Sequence, residues 1–364
     1  MSIYYIISNK VWGGGEQYVY DICKNLATEG FSIELFYRPN NNIEHKLLAL
    51  NLHISKLPLR GGLDLFSAIA IAFRIRNAGR CIIHVQNFND AFTAVLAQIL
   101  SSNKKAKIIV TRHLVKKGKN NFIYTWLYKH INRIIFVSAF AKNAFLSSNP
   151  NIAHSKLQIL HNSIDTQQCA HHTIVNLKEK YNLRTHDIIL MFHGRIVEEK
   201  GLNILIRALG EVKNPHIHLI IIGYGHCKYI SKLKQIAKEN GILCNIHFEE
   251  FQDDIMPYIQ QADIGVLPSV VPESFLLSGL EYMSQGKCLL TTDNGGQTEY
   301  ITNHSTGILC APADVKELAS IIEYAANNID ECKKIGLHAQ EYYQSNLYYH
   351  IFINKLISLY QSEI

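Results

Sequence analysis

Ile188-Ile189-Leu190-Met191-Phe192-His193-Gly194-Arg195-Ile196-Val197-Glu198-Glu199-Lys200-Gly201-Leu202 decides how this chain is read. A short, mostly apolar run stops at a glycine, and an amphipathic pattern opens after a second glycine. A run of that length predicts a buried strand over residues 188–193, and the pattern beyond it a helix over 202–209. Working outward, the same unit recurs. Strands are expected at 218–222, 246–248, 264–268 and 288–292, with a helix at 229–240. Toward the N-terminus, 3–8, 33–37, 82–86, 107–111 and 133–137 read as strands. Residues 16–29 read as a helix whose apolar face holds Tyr18, Ile22, Cys23, Leu26 and Ala27. Strands alternating with helices predict an α/β fold with parallel sheets covered on both faces.

The 364 residues suffice for two domains with separate cores. Residues 163–187 are polar and weakly periodic, with Gln167-Gln168 and His171-His172, and hold the expected link. The division is therefore set at 1–165 and 166–346. Two doubly wound sheets side by side would leave a crevice at the C-terminal ends of their strands, where such folds bind ligands.

Apolar residues make up 48% of the chain and charged residues 18%, which excludes disordered and fibrous classes. The eight cysteines form no Cys-x-x-Cys pair, so reduced, mostly buried thiols are expected. The N-terminus lacks the pattern of a signal peptide, and no stretch reaches the length of a spanning helix; residues 63–73 come nearest but contain Asp64. A cytoplasmic protein is expected, with room for peripheral attachment to a membrane. Charge is split: residues 1–165 carry 20 Lys and Arg against 8 Asp and Glu, while the rest carry 16 against 22. A polyanionic partner would meet the basic first half.

Three stretches carry candidate chemistry. Gly13-Gly14-Gly15-Glu16 lies between the first strand and first helix, where bare amides and the helix dipole favour an anion. It reads equally as a tight turn, and it fails the Gly-x-Gly-x-x-Gly spacing of a dinucleotide site. Gly194, Arg195 and Lys200 flank a strand-to-helix turn; a guanidinium fork and an ammonium suit a diphosphate. Glu198 and Glu199 between them leave a surface salt-bridge cluster as the plainer reading. In Glu273-Ser274-Phe275-Leu276-Leu277-Ser278-Gly279-Leu280-Glu281, Glu273 would precede a helix and Glu281 would lie about two turns inside it. The amides of Phe275, Leu276 and Leu277 would then form an anion site. An ordinary helix start reads the same way, and Leu276, Leu277, Leu280 and Met283 suit a core.

In this order the stretches resemble the retaining glycosyltransferases of family four, the glycogen-synthase-like and mannosyltransferase-like group. His193-Gly194-Arg195 through Lys200-Gly201 resembles the phosphate-binding turn. Ile221-Ile222-Gly223-Tyr224-Gly225 resembles the loop near the nucleobase, and Glu273 to Glu281 the Glu-x7-Glu motif. Asp293-Asn294-Gly295-Gly296 with Glu299 resembles the glycine turn after it, and Leu160 to Asp165 the interdomain segment. His161, Ser163, Ser274, Gln297 and Thr298 depart from the usual residues, without removing a charge the mechanism needs.

The resemblance implies the GT-B fold: two Rossmann-like doubly wound domains facing a central cleft, residues 1–165 for the acceptor and 166–346 for the donor. It implies a last helix, about 347–360, crossing back onto the first domain within 347–364. It assigns Arg195 and Lys200 to the diphosphate, Glu273 to sugar hydroxyls and Glu281 to the ribose. Gly14, Gly15, Gly194, Gly223, Tyr224 and Ser274 join the donor site, and His113 stands near the transferred sugar. It implies retaining transfer of a hexosyl group from a UDP- or GDP-sugar to a saccharide or lipid-linked acceptor in cell-surface polysaccharide synthesis. The donor is a co-substrate. No cofactor is expected and, with no Asp-x-Asp clamp, no metal.

Lys104, Lys105, Lys107, Lys116, Lys117 and Lys119, followed by an aromatic segment over 121–129, suit an anionic membrane surface. A core helix with a lysine edge fits too. A nucleotide-sugar 2-epimerase of the same architecture is the rival enzyme, and a scaffold without activity a further one. No nucleic-acid recognition motif is present, so no nucleic-acid partner is expected.

Overall fold

A computed structural model describes residues 1–9, 13–39, 44, 46–48, 50, 52–62, 64–166 and 175–364. Gln167, Gln168, His171, His172, Cys169 and Leu63 lie outside the described residues. The chain divides into two compact units, Met1–Asn162 with Tyr349–Ile364, and Ser163–Tyr348.

The first unit holds seven strands: β1 Ser2–Ile7, β2 Ser32–Tyr37, β3 His53–Lys56, β4 Cys81–Val85, β5 Ala106–Arg112, β6 Arg133–Phe136 and β7 Leu157–Ile159. They pair in parallel in the order β3-β2-β1-β4-β5-β6-β7. Successive side chains of a strand point to opposite faces, and β1 divides accordingly. Tyr4 and Ile6 enter one apolar layer with residues of helices Leu65–Ile75, Phe88–Ser101 and Phe122–His130. Ile3, Tyr5 and Ile7 enter the other layer, with helix Gly14–Thr28 and the last helix, Tyr349–Glu363. That last helix buries Phe352, Ile353, Leu356, Leu359 and Tyr360, an apolar stripe at helical spacing, in the core of the first unit.

The second unit holds β8 Ile188–His193, β9 Ile217–Ile222, β10 Ile246–Glu249, β11 Ile264–Leu267, β12 Cys288–Thr292 and β13 Ile308–Cys310. They pair in parallel in the order β10-β9-β8-β11-β12-β13.

Three strands have no counterpart among the expected ones: β3, β7 and β13. Each sits at a sheet edge. At three or four residues each they leave little apolar run to read, although the fourth edge strand, β10, was expected. Among the described residues no helix is long and apolar enough to cross a membrane. Of the described cysteines, Cys23, Cys81, Cys288, Cys310 and Cys332 are buried and Cys227 and Cys244 exposed, all as free thiols.

Candidate donor site

In both sheets the winding reverses between the first and fourth strands, β1 beside β4 and β8 beside β11. Crevices at such switch points are where this architecture binds ligands. In the second unit, the turn 194–201 leaves β8 at that point. Backbone contacts pin it. Gly194 and Gly223 have φ of +138° and +152°, and a Cβ on Gly223 would fall 1.9 Å from the Gly194 oxygen. Gly201 has φ of +70°, and a Cβ there would fall 2.0 Å from the Pro268 oxygen. Only glycine fits such an approach. Hydrogen bonds complete the join: Gly194 N–H donates to Ile222 O (3.0 Å), Ile196 N–H to Tyr224 O (2.8 Å) and Val270 N–H to Glu199 O (2.9 Å). The turn is thus clasped between the ends of β9 and β11.

That clasp brings two of the expected residues together. Lys200 Nζ donates to Glu273 Oε1 at 2.7 Å, and Ser269 Oγ donates to the same oxygen at 2.9 Å. Glu273 is held by its main chain as well, since Gly296 N–H donates to its carbonyl at 2.8 Å. Arg195 is exposed and forms no ion pair with any described residue. Glu198 pairs with Lys232 at 2.8 Å, so the alternative of a self-contained salt-bridge cluster within the turn does not hold for Lys200. Tyr224 stands 79% exposed beside Gly223, its carbonyl already taken by Ile196.

The helix after Glu273 begins later than expected. It spans Leu277–Ser284, with Leu276 as its N-cap. Glu281 therefore lies just over one turn inside it, not two, and Phe275 and Leu276 precede the helix. Their burial explains the delay: Phe275 packs on Tyr300 with ring centroids 5.1 Å apart, and Tyr300 Oη donates to the Leu276 carbonyl at 2.8 Å. Leu280 and Met283 belong to the core, Leu277 and Ser274 are half-buried.

His193, which carried no role in the sequence reading, faces Glu281. Tyr282 Oη donates its proton to the Met191 carbonyl at 2.7 Å, so His193 Nδ1, 3.0 Å away, is the donor toward Tyr282. His193 Nε2 meets Glu281 Oε2 at 2.5 Å. This contact orients the carboxylate expected to hold a ribose. A histidine at the end of an otherwise apolar strand was the available signal, as was Ser269 for Glu273.

In the first unit Gly14 and Gly15 start helix Gly14–Thr28, with extended Gly13 as N-cap. A Cβ on Gly15 would meet nothing within 4 Å. The Glu16 carboxylate, raised by burial, accepts from Asn9 Nδ2. His113 follows β5; its Nε2 donates to Gln86 Oε1 at 2.9 Å and its ring meets Tyr18 edge-on at 4.9 Å. Burial lowers its imidazole to about 4, so it is neutral at physiological pH. The sequence reading missed Asp90 at the β1/β4 switch point. Burial raises its carboxyl to about 7, against hydrogen bonds from Ser8 Oγ (2.8 Å) and Asn87 Nδ2 (2.7 Å).

With this geometry the comparisons agree. Residues 174–342 match the model "Glycosyl transferases group 1", and residues 12–168 match "Glycosyltransferase Family 4". A lipopolysaccharide 1,2-N-acetylglucosaminetransferase of Salmonella typhimurium is 26% identical over 58% of this chain; the match spans 55% of that protein, little over half its length. An O-antigen biosynthesis glycosyltransferase, WclY, of Escherichia coli is 22% identical over 100% of this chain and 97% of its own. The Anabaena protein HepE, solved in complex with UDP, superposes with a TM-score of 0.85 at 18% identity, covering 100% of both chains. The fold is GT-B, with two Rossmann-like units. The chain belongs to the glycosyltransferases, its first half to family 4 and its second to group 1.

Proposed function

We propose that this chain is a retaining, metal-independent hexosyltransferase, using a UDP- or GDP-sugar and a saccharide or lipid-linked acceptor in cell-surface polysaccharide synthesis. One observation carries the reading. The turn 194–201, clasped by glycine contacts at the β8/β11 switch point, ties Lys200 to Glu273 and leaves Arg195 open. Arg195, Lys200 and nearby amides of residues 274–277 would bear the charge developing on the departing diphosphate. Glu273 would hold hexose hydroxyls and Glu281, set by His193, the ribose. Gly194 and Gly223 admit the backbone close to the donor, and Tyr224 offers a ring to the base. Gly14, Gly15 and His113 would serve from the first unit. The sugar C1–O bond to the diphosphate breaks as the acceptor oxygen bonds C1 on the same face, and the acceptor's proton passes to the leaving diphosphate. The enzyme's work is positioning and electrostatic stabilisation. UDP in the HepE complex and the lipopolysaccharide and O-antigen roles of the relatives support this donor and acceptor class.

The test is incubation with a panel of nucleotide sugars, with and without saccharide acceptors, in EDTA. Acceptor-dependent release of the nucleoside diphosphate and an α-linked product from an α-donor are expected. Epimer formation without acceptor, or complete loss in EDTA, overturns the reading.

The first unit also supports contact with an anionic membrane at the inner face. On one face of its sheet, helix Leu65–Ile75 exposes Leu65, Phe66, Ile69 and Phe73, and helix Phe122–His130 exposes Phe122, Ile123 and Trp126 while burying Leu127 and Tyr128. Lys116, Lys117 and Lys119 are exposed before the second of these helices. Flotation with liposomes containing acidic lipid is expected at low salt; none would refute the attachment.

A further inference from the structure

The second sheet begins, at the end opposite Gly194, on a group of imidazoles around one carboxylate. His186 and Asp187 immediately precede β8; His216 immediately precedes β9, and His218 is its second residue. His216 Nδ1 lies 2.9 Å and His186 Nε2 3.8 Å from Asp187 Oδ1. The ligand atoms of these three residues all fall within 4.8 Å of one another. On the other side of the carboxylate, His218 Nε2 is 3.7 Å from Asp187 Oδ2. Ligands about 2.0–2.1 Å from a tetrahedral ion stand about 3.3 Å apart. The separations to Asp187 bracket that value, so small side-chain rotations would close the set.

We propose that His186, Asp187 and His216 form a binding site for a divalent transition-metal ion of the zinc class, with the fourth position open to His218 or water. Two imidazoles and a carboxylate, without thiolate, suit zinc, nickel or copper over magnesium or calcium. The set is held ready by its surroundings. Asp187 Oδ2 accepts from Arg184 N–H at 2.7 Å, which fixes the carboxylate. His216 is anchored through its own N–H to Asn214 Oδ1 at 2.9 Å and through its carbonyl to Ile188 N–H at 2.7 Å. His247 Nε2 faces His218 Nδ1 at 3.4 Å. The six residues of β8 separate this group from Gly194 by about 20 Å at about 3.3 Å per residue. The site would clip the starts of β8 and β9 together, independently of the sugar-transfer reading.

The test uses the untagged chain of 364 residues, stripped with chelator and desalted, then titrated calorimetrically with Zn²⁺, with Co²⁺ as a visible probe. One ion per chain and a four-coordinate cobalt band are expected, with no response to Mg²⁺. His186 is exposed and His216 half-buried, so both can be replaced without opening the core, and His186→Ala and His216→Ala should each weaken zinc at least about tenfold. Zinc should raise the Tm of the wild type and not of the double variant, while glycosyl transfer stays equal in all. No zinc binding by the wild type, or unchanged affinity in the double variant, overturns the proposal.

Discussion

Set side by side, the two units wind parallel sheets in the same order about β1/β4 and β8/β11, but they furnish those switch points with different chemistry. In the second, the strand ends meet through glycine backbones, and ionisable side chains pair above them: Lys200 with Glu273, His193 with Glu281. In the first, the glycine loop is uncrowded at Gly15, and the polar groups are withdrawn into the interior. His84 Nδ1 meets Tyr360 Oη at 2.5 Å and His84 Nε2 meets Thr111 Oγ1 at 2.7 Å, with Tyr5 on the far side of Tyr360. Burial lowers His84 to about 3. The lesson is that one fold supports two electrostatic regimes. A rigid, charged strand end suits a fixed anionic group. A neutral, desolvated interior offers no fixed charge to pair with one.

The comparison breaks most directly at the paired cations. Arg195→Ala and Lys200→Ala should each lower turnover about 10²–10³-fold, the usual cost of losing one preorganised charge partner. Steady-state kinetics with the donor identified by the panel would measure it. Replacement of both without loss of donor affinity or rate would remove the basis for assigning the second unit to the donor.

A contrast of glycines sharpens the same point at the level of stability. Gly223→Ala would force a methyl into the Gly194 carbonyl at a φ that L-residues avoid, at about 3 kcal/mol. Gly15→Ala enters open space at a helix start and should change stability by less than about 1 kcal/mol. Denaturant melts of the two variants would show whether the crowding belongs to the second unit alone.

Acid should separate the units more gently. His84 and His113 have folded pKa values near 3 and 4, below the ordinary 6.5, so the unfolded chain binds more protons and stability falls as pH drops from about 6.5. His84 alone would remove about 2 kcal/mol by pH 5. Asp90 acts in reverse: its folded value near 7 exceeds the ordinary 3.8, so its contribution is present in acid and lost as pH rises through 7. Stability measured between pH 7 and pH 5 should therefore fall more steeply in Asp90→Asn and less steeply in His84→Gln than in the wild type. Parallel profiles for all three would contradict the buried-histidine account.

The α/β class, most central strands and the candidate residues Arg195, Lys200, Glu273 and Glu281 were legible because apolar runs, glycines and charges are properties of local sequence. Burial on both faces writes itself into a strand such as β8 as an unbroken apolar run. Strands β3, β7 and β13, of three or four residues at the sheet edges, are too short to carry such a signature. The start of the helix at Leu277 was hidden too, because Tyr300, 24 residues away in sequence, holds the Leu276 carbonyl. The Lys200–Glu273 and His193–Glu281 pairs and the Asp187 imidazole group exist only once distant strand ends converge. Residue type and spacing determine which side chains can ionise or ligate. Which of them meet is a three-dimensional matter, because each partner is dozens of residues away and is brought in by the crossover of a parallel sheet.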